Sequence, residues 1–328
     1  MSQERMAKVS VIIPCYNCEK FVSRAIESVL NQTCVDWEII LVNNNSTDKT
    51  LKILERYAVA YPSKVYVFEE PKRGAQAARN KGLGEAKGVW VQYLDADDEI
   101  STDKLERQVA LAEENNADVV CGGYKTIQKL QSKLIKIKSI YYKFQDKNKS
   151  ITANNILETI RLPKVDIWKG LISSQLGITS ANLWSKRALE SVNGWDEQLT
   201  SAQEYDLLFR IMKNNGRIII DPNLCAKIYK QENSISASTD FDKKEEIINN
   251  SINLRFRIRD YLFSKGKLTA ELDNYIDHWI YSYLMSFRSI MPGRISTKLK
   301  NMKLRISVKT IIRSNILYFF KKTVKTFN

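Results

Sequence analysis

Short β-branched apolar runs alternate with longer amphipathic segments over residues 8 to 125. Five runs predict strands: KVSVIIP from Lys8, WEIILVN from Trp37, KVYVFEE from Lys64, VWVQYLD from Val89 and ADVVCGGY from Ala117. The segments between them are EKFVSRAIESVLNQ, STDKTLKILERYAVAY, GAQAARNKGLGEAK and STDKLERQVALAEENN. Each carries apolar residues three and four apart, the period of an amphipathic helix. Two open with STDK, which predicts a side-chain N-cap with an acidic residue in the first turn. Strand and helix in alternation predict an α/β fold with a mostly parallel sheet covered by helices.

The pattern breaks after Tyr124, where the polar, Lys-rich stretch KTIQKLQSKLIKIKSIYYKFQDKNKS reads as an inserted hairpin or a loop. Order returns with SKRALESVNGWDE, then SAQEYDLLFRIMKNNG as a helix ending at Gly216, then RIIIDP as a strand. From Phe241 the periodicity is helical only. The chain therefore divides into a domain at 1–235, containing a variable segment at 126–180, and a helical region at 236–328.

Composition narrows the class. With 328 residues, 44% hydrophobic and 27% charged, the chain has the balance of a soluble protein with a sizeable core. The apolar run in MSQERMAKVSVIIP is too short for a signal peptide, which predicts a cytoplasmic location. No run of about eighteen apolar residues occurs, so any membrane contact is expected to be peripheral. Of the net charge of +14, eleven Lys or Arg fall between Arg288 and the end, with no Asp or Glu among them. That tail interleaves cations with Leu, Ile and Phe. It is expected to lie on anionic lipid at the inner face of the plasma membrane, with a solvated helix as the bland alternative. Nucleic acid is the competing partner, but no recognition motif accompanies the charge, so none is expected.

The stretch PCYNCE sets Cys15 and Cys18 in a C-x-x-C spacing. Five cysteines, an odd and scattered set, predict free thiols. A zinc site needs four ligands, and the single histidine, His278, lies far away in a helix-like context. That histidine also removes most Ser-His-Asp and Cys-His schemes. A thioredoxin-like redox role remains the minor alternative for the cysteine pair.

In an open parallel sheet, ligands bind beyond the carboxyl ends of the strands. Those ends here carry PCYNCE, NNNSTD, EEPKRG and DADDE. Neither a dinucleotide glycine fingerprint nor a P-loop is present, and GLGEAKG reads as a helix end. Three carboxylates within LDADD repel one another, which a divalent cation completed by substrate phosphates would relieve; a solvated acidic turn leading into an N-cap is an equal alternative on spacing alone. The cation reading describes a nucleoside diphosphate site.

The ordered set VSVIIPCYN, WEIILVNNNSTDKT, RGAQAARNKGLGEAKG, VQYLDADD and GWDE…AQEYDLLFR resembles the inverting family 2 glycosyltransferases. The likeness covers roughly residues 8 to 221. It implies a GT-A fold with a Rossmann-like, mostly parallel sheet and a nucleotide-sugar donor, UDP first; the basic helical extension lies outside it. It implies a glycan or lipid-linked saccharide acceptor, met on the side of segment 126–180, and Mn²⁺ or Mg²⁺ as cofactor. By the same resemblance Pro14 and Tyr16 line the nucleoside pocket and Asn44 falls where a carboxylate usually binds the base. Arg79 lies near the nucleotide and Asp95 by the ribose. Asp97 and especially Asp98 reach the metal and diphosphate, and Glu204 is the general base with Asp206 as fallback. The residues at Asn43 and Asn44 depart from the family's acidic pattern, which leaves the base identity open. Trp184 and Trp195 read either as sugar-stacking platforms or as core. Two rival functions share such a sheet, a sugar nucleotidyltransferase and a non-catalytic scaffold. The first should carry a glycine-rich basic loop where this chain has PCYNCE.

Overall fold

The computed structural model describes residues 8–129, 149–151, 156–230, 240–312 and 314–315. Contacts divide the chain into two compact units. The first takes the residues up to Ile167, then Ser174–Gln198 and the stretch from Gln203; the second takes Trp168–Ser173, Leu199–Ala202 and the C-terminal helices.

In the first unit the sheet is built from β1 (Val9–Cys15), β2 (Trp37–Asn43), β3 (Val65–Glu69) and β4 (Trp90–Tyr93). To these are added β5 (Glu99–Ile100), β6 (Val119–Lys129), β7 (Lys149–Ile151), β8 (Ile156–Arg161), β9 (Leu183–Ser185) and β10 (Ile218–Tyr229). Helices α1 (Val22–Leu30), α2 (Thr50–Ala60), α3 (Ala75–Glu85) and α4 (Lys104–Glu114) follow the early strands. The architecture is α/β. Strand β2 is buried at every position and β1 at all but Pro14, because helices cover both faces; this is why these runs are continuously apolar and do not alternate.

The strand order is β3-β2-β1-β4-β9-β6-β10-β5, with β8 attached to β6 and β7 to β8. Strands β3, β2, β1 and β4 run parallel, pairing Val11 with both Ile39 and Gln92, so their carboxyl ends share one edge. Between β4 and β6 lies β9, antiparallel to both and only three residues long.

Several expectations are corrected. Helices α2 and α4 start at Thr50 and Lys104, and neither makes a side-chain N-cap bond. Ser46 of the first STDK instead accepts from Asn17 N, and Ser101 of the second donates to Leu224 O. The strand expected over RIIIDP continues past Pro222 to Tyr229, because register shifts around Leu224 let proline sit in a bulge. Strand β6 runs on to Lys129 and pairs antiparallel with β8; the rest of the Lys-rich segment, 130–148 and 152–155, lies outside the described residues.

The second unit consists of helices, α5 (Ile167–Ser173), α8 (Phe241–Ser264), α9 (Ala270–Phe287) and α10 (Pro292–Asn301), while α6 (Lys186–Glu190) and α7 (Gln203–Lys213) lie in the first unit. Asp240 caps α8, accepting from Asp242 N and Lys243 N. Arg255 is fully buried, donates from Nε to Ile172 O at 2.9 Å and stacks 3.7 Å from the Trp279 ring. His278 accepts at Nε2 from Ser307 N, a structural contact. No described helix is long and apolar enough to cross a membrane. In the basic tail Arg294 and Lys298 pair with Glu245, and Arg305 pairs with Asp273 and Asp277; residues 316–328 lie outside the described residues.

Candidate active site

The loops after β1 and β2 are stitched together by side chains. Asn17, at φ 45°, accepts Thr47 N at Oδ1 (2.8 Å) and donates its own N–H to Ser46 Oγ. Cys18 N donates to Thr50 Oγ1 at 2.8 Å, and Lys49 N donates to Glu19 Oε2 at 3.0 Å. Asparagine tolerates the left-handed conformation this turn requires. The stitched loop leaves Tyr16 55% exposed beside the half-buried Pro14, a free aromatic face at the strand edge. Cys15 and Cys18 are both buried free thiols within the main hydrophobic core, and burial pushes the Cys15 thiol well up. They pack as small apolar groups.

Asn44 is buried, and its amide is engaged. Nδ2 donates to Glu70 O (2.7 Å) and Lys72 O (2.8 Å), while Oδ1 accepts Gly74 N (2.9 Å). The side chain therefore holds the EEPKRG loop. This explains why the position is not acidic: a carboxylate would face two carbonyl oxygens and has no hydrogen to give them. Neighbouring Asn45 adds a bond to Pro71 O at 2.9 Å.

Helix α3 delivers Arg79 into the interior, where Nη2 pairs with Asp95 Oδ1 at 2.6 Å and the guanidinium lies 4.7 Å from the Trp195 ring. Gly82 of the GLGEAKG stretch serves packing, since a Cβ there would come within 2.4 Å of Ile12 Cγ2. Next along the helix, Asn80 donates to Trp195 O (2.9 Å) and to Glu197 Oε1 (2.8 Å) and accepts from Trp195 N (2.8 Å). The ARN and GWDE stretches, separate in sequence, are thus one assembly. Trp184 and Trp195 are buried; Trp195 meets Tyr93 edge-on at 5.2 Å. Trp195 lies under Arg79 with Trp184 packed against it, and the burial of both rings removes the sugar-platform expectation.

The LDADD stretch makes a tight turn beyond β4, closed by Asp98 N donating to Asp95 O at 3.0 Å. Asp97 is half-buried, and its carbonyl accepts from Arg24 Nη2 at 2.6 Å. Asp98 is only 3% exposed and takes a bond from Ser180 Oγ (2.7 Å). Burial and the charge of Asp95 hold both the Asp97 and Asp98 carboxyls above the usual carboxylate range. Among the described residues no three His, Cys, Asp or Glu side chains group to hold a metal by themselves. The mutual repulsion of these carboxylates nevertheless fits a divalent cation that takes one or two of them and completes its shell from phosphate oxygens. Of the two, Asp97 is the less enclosed; Asp98 anchors the turn.

Glu204 begins helix α7 (Gln203–Lys213), entered from Ala202 at φ 57°. Burial raises its carboxyl above the ordinary range; the charge of Arg79 opposes this and that of Asp95 adds to it. Those couplings put Glu204 within electrostatic range of the Arg79–Asp95 pair. Asp206 is buried and accepts from Arg210 Nε at 2.7 Å. The structure thus pairs Arg79 with Asp95 at the start of the Asp97–Asp98 turn, with Glu204 within electrostatic range of both. Pro14, Tyr16 and Asn44 stand at the neighbouring ends of β1 and β2. Sequence alone does not mark Ser180 or Asn80 as partners of the site; no local pattern singles out the first, and only its place beside Arg79 points to the second.

Residues 10–163 match the family profile described as Glycosyl transferase family 2. The UDP-Glc:alpha-D-GlcNAc-diphosphoundecaprenol beta-1,3-glucosyltransferase WfgD of Escherichia coli is 30% identical over 233 residues, 70% of this chain and 80% of that protein. Other curated relatives match over a smaller share of their own length, 34%, 32% and 29% for three of them. Among solved structures, S. aureus TarS 1-349 in complex with UDP-GlcNAc superposes with a TM-score of 0.58 at 18% identity, covering 88% of this chain and 83% of that one. The mannosyltransferase PcManGT from Pyrobaculum calidifontis, in complex with GDP-Man and Mn2+, gives 0.54 at 15% identity, covering 99% and 85%. Both share the fold.

Proposed function

Because this chain belongs to glycosyltransferase family 2, we propose that it moves a hexosyl or N-acetylhexosaminyl group from a UDP-sugar to a hydroxyl of a glycan or lipid-linked saccharide, inverting the anomeric carbon. The observation that carries the reading is the Arg79–Asp95 pair at the start of a turn of mutually repelling carboxylates, with the Glu204 carboxyl within electrostatic range of it.

Tyr16 and Pro14 flank the base. Asn44 keeps one Oδ1 lone pair after accepting Gly74 N, and that lone pair receives the imino N–H of uracil. Asp95, held by Arg79, faces the ribose. Asp97, backed by Asp98, holds Mn²⁺ or Mg²⁺, which when bound supplies charge neutralisation for the departing diphosphate. Glu204 accepts the proton of the attacking hydroxyl at a carboxylate oxygen. Its raised affinity for protons makes it a stronger base than an exposed glutamate. One displacement from the face opposite the leaving group inverts the centre.

UDP is favoured because WfgD is named for a UDP-sugar and TarS is solved with one; the GDP-Man complex of PcManGT supplies the rival base. The diphosphoundecaprenol in the WfgD name supports a lipid-linked acceptor, and the basic tail supports contact with an anionic membrane surface. Three of the tail's described cations already pair with acidic side chains, so lipid contact falls to the others. Incubating the full chain with a panel of nucleotide sugars and Mn²⁺ tests the reading. Consumption of a UDP-sugar supports it, preference for a GDP-sugar overturns the base assignment, and consumption of none overturns the transferase.

A further inference from the structure

The short turn Thr179–Ala181 carries no motif, yet its serine touches both ends of the carboxylate turn. Ser180 is fully buried. Its Oγ accepts Asp95 N at 3.2 Å and donates to Asp98 Oδ2 at 2.7 Å. One hydroxyl thereby sets the spacing between two residues whose like charges push them apart.

Beneath this turn lies a second unexplained group. Lys104 is fully buried, and its ammonium is bonded by amide oxygens, Gln92 Oε1 and Gln108 Oε1, the latter at 2.7 Å. Only the oxygen of an amide can face an ammonium, so both NH₂ groups are turned the other way. They donate to the turn itself: Gln92 Nε2 to Ser180 O and Gln108 Nε2 to Ala181 O, each at 3.1 Å. A buried cation held by neutral amides is costly to keep, and neither Lys104 nor either glutamine belongs to the site described above.

We infer that Ser180 is a positioning residue for the cation-holding carboxylates, and that Lys104 fixes the Ser180 turn by orienting the amides of Gln92 and Gln108. This rests on the functional reading above. The hydroxyl acts through Asp98 and the Asp95 amide, and its effect belongs to the metal-dependent part of donor binding.

Titration calorimetry of UDP binding to the full chain, with Mn²⁺ and with a chelator, separates the two contributions. Ser180→Ala should lower Mn²⁺-dependent affinity by about tenfold or more, the worth of a hydrogen bond to a charged group. Chelator-condition affinity should change by less than about twofold, and the loss should shrink in an Asp98→Asn background, because the hydroxyl then has no carboxylate to position. Lys104→Met should reproduce the same selective loss; if it does not fold, Ser180→Ala and the Asp98→Asn cycle carry the test. A wild-type chain with no Mn²⁺-dependent UDP affinity overturns the functional reading and this inference with it. Normal wild-type binding with Ser180→Ala unchanged, or with equal losses in both conditions, overturns the inference alone.

Discussion

Arg79 Nη2 lies 2.6 Å from Asp95 Oδ1, a charged pair joining the interior of α3 to the first residue of the carboxylate turn. The guanidinium is buried against Trp195 while the Asp95 carboxyl is 38% exposed, so the pair presents its acidic end outward. Lysine cannot reproduce this: it lacks the planar fork and would place a strongly hydrated ammonium in a buried aromatic setting. Arg79→Lys is expected to weaken UDP binding by about tenfold or more and to lower the melting temperature. Calorimetry and thermal denaturation of the same preparation read both effects.

Glu204→Gln should reduce turnover by about two to four orders of magnitude, as loss of a general base does, while leaving donor affinity within a few-fold. Steady-state rates beside a binding titration distinguish the two. The base must be ionised to work, and burial raises its proton affinity. The acid limb of the kcat/KM profile should therefore lie above the ordinary glutamate range, with the rate falling as pH drops through it. A limb at or below that range contradicts the role.

Asn44→Asp, a change toward the family's usual acidic residue, is expected to harm this protein. The new carboxylate would face Glu70 O and Lys72 O without hydrogens to offer. The cost should be about 1–3 kcal/mol of stability, with weaker nucleotide binding as the 70–74 loop loosens. Chemical denaturation measures the first; an unchanged midpoint argues against the loop-holding role.

Alanine at Cys15 or Cys18 should leave transfer within a few-fold, at a modest cost in stability from lost packing. Mass spectrometry during turnover should find both thiols reduced. Disulfide cycling coupled to product formation would return the redox reading.

The parallel half of the sheet was legible because burial on both faces writes continuous apolar runs, as in β1 and β2, and because long amphipathic helices separate them. Strands β5 and β9, two and three residues long, leave no period to detect. Pro222 read as a strand end because a proline is tolerated within a strand only where the ladder is broken, and that break is set by the partner β6. The site residues were recognisable by position, since strand ends gather on one edge, but their working partners were not. Ser180 lies more than eighty residues from both aspartates it bridges, and the amide of Asn44 proved to be engaged by a loop that begins twenty-six residues later. Sequence places a group at an edge; only the fold decides what it touches.

In the proposed mechanism the carboxylate turn holds a divalent cation against the donor diphosphate. Calorimetric titration of UDP into Asp97→Ala and Asp98→Ala, each with and without Mn²⁺, tests it most directly. The account predicts that Asp97→Ala abolishes the Mn²⁺ enhancement and Asp98→Ala greatly reduces it, with metal-free affinity little altered. Enhancement equal to wild type in both variants would contradict it.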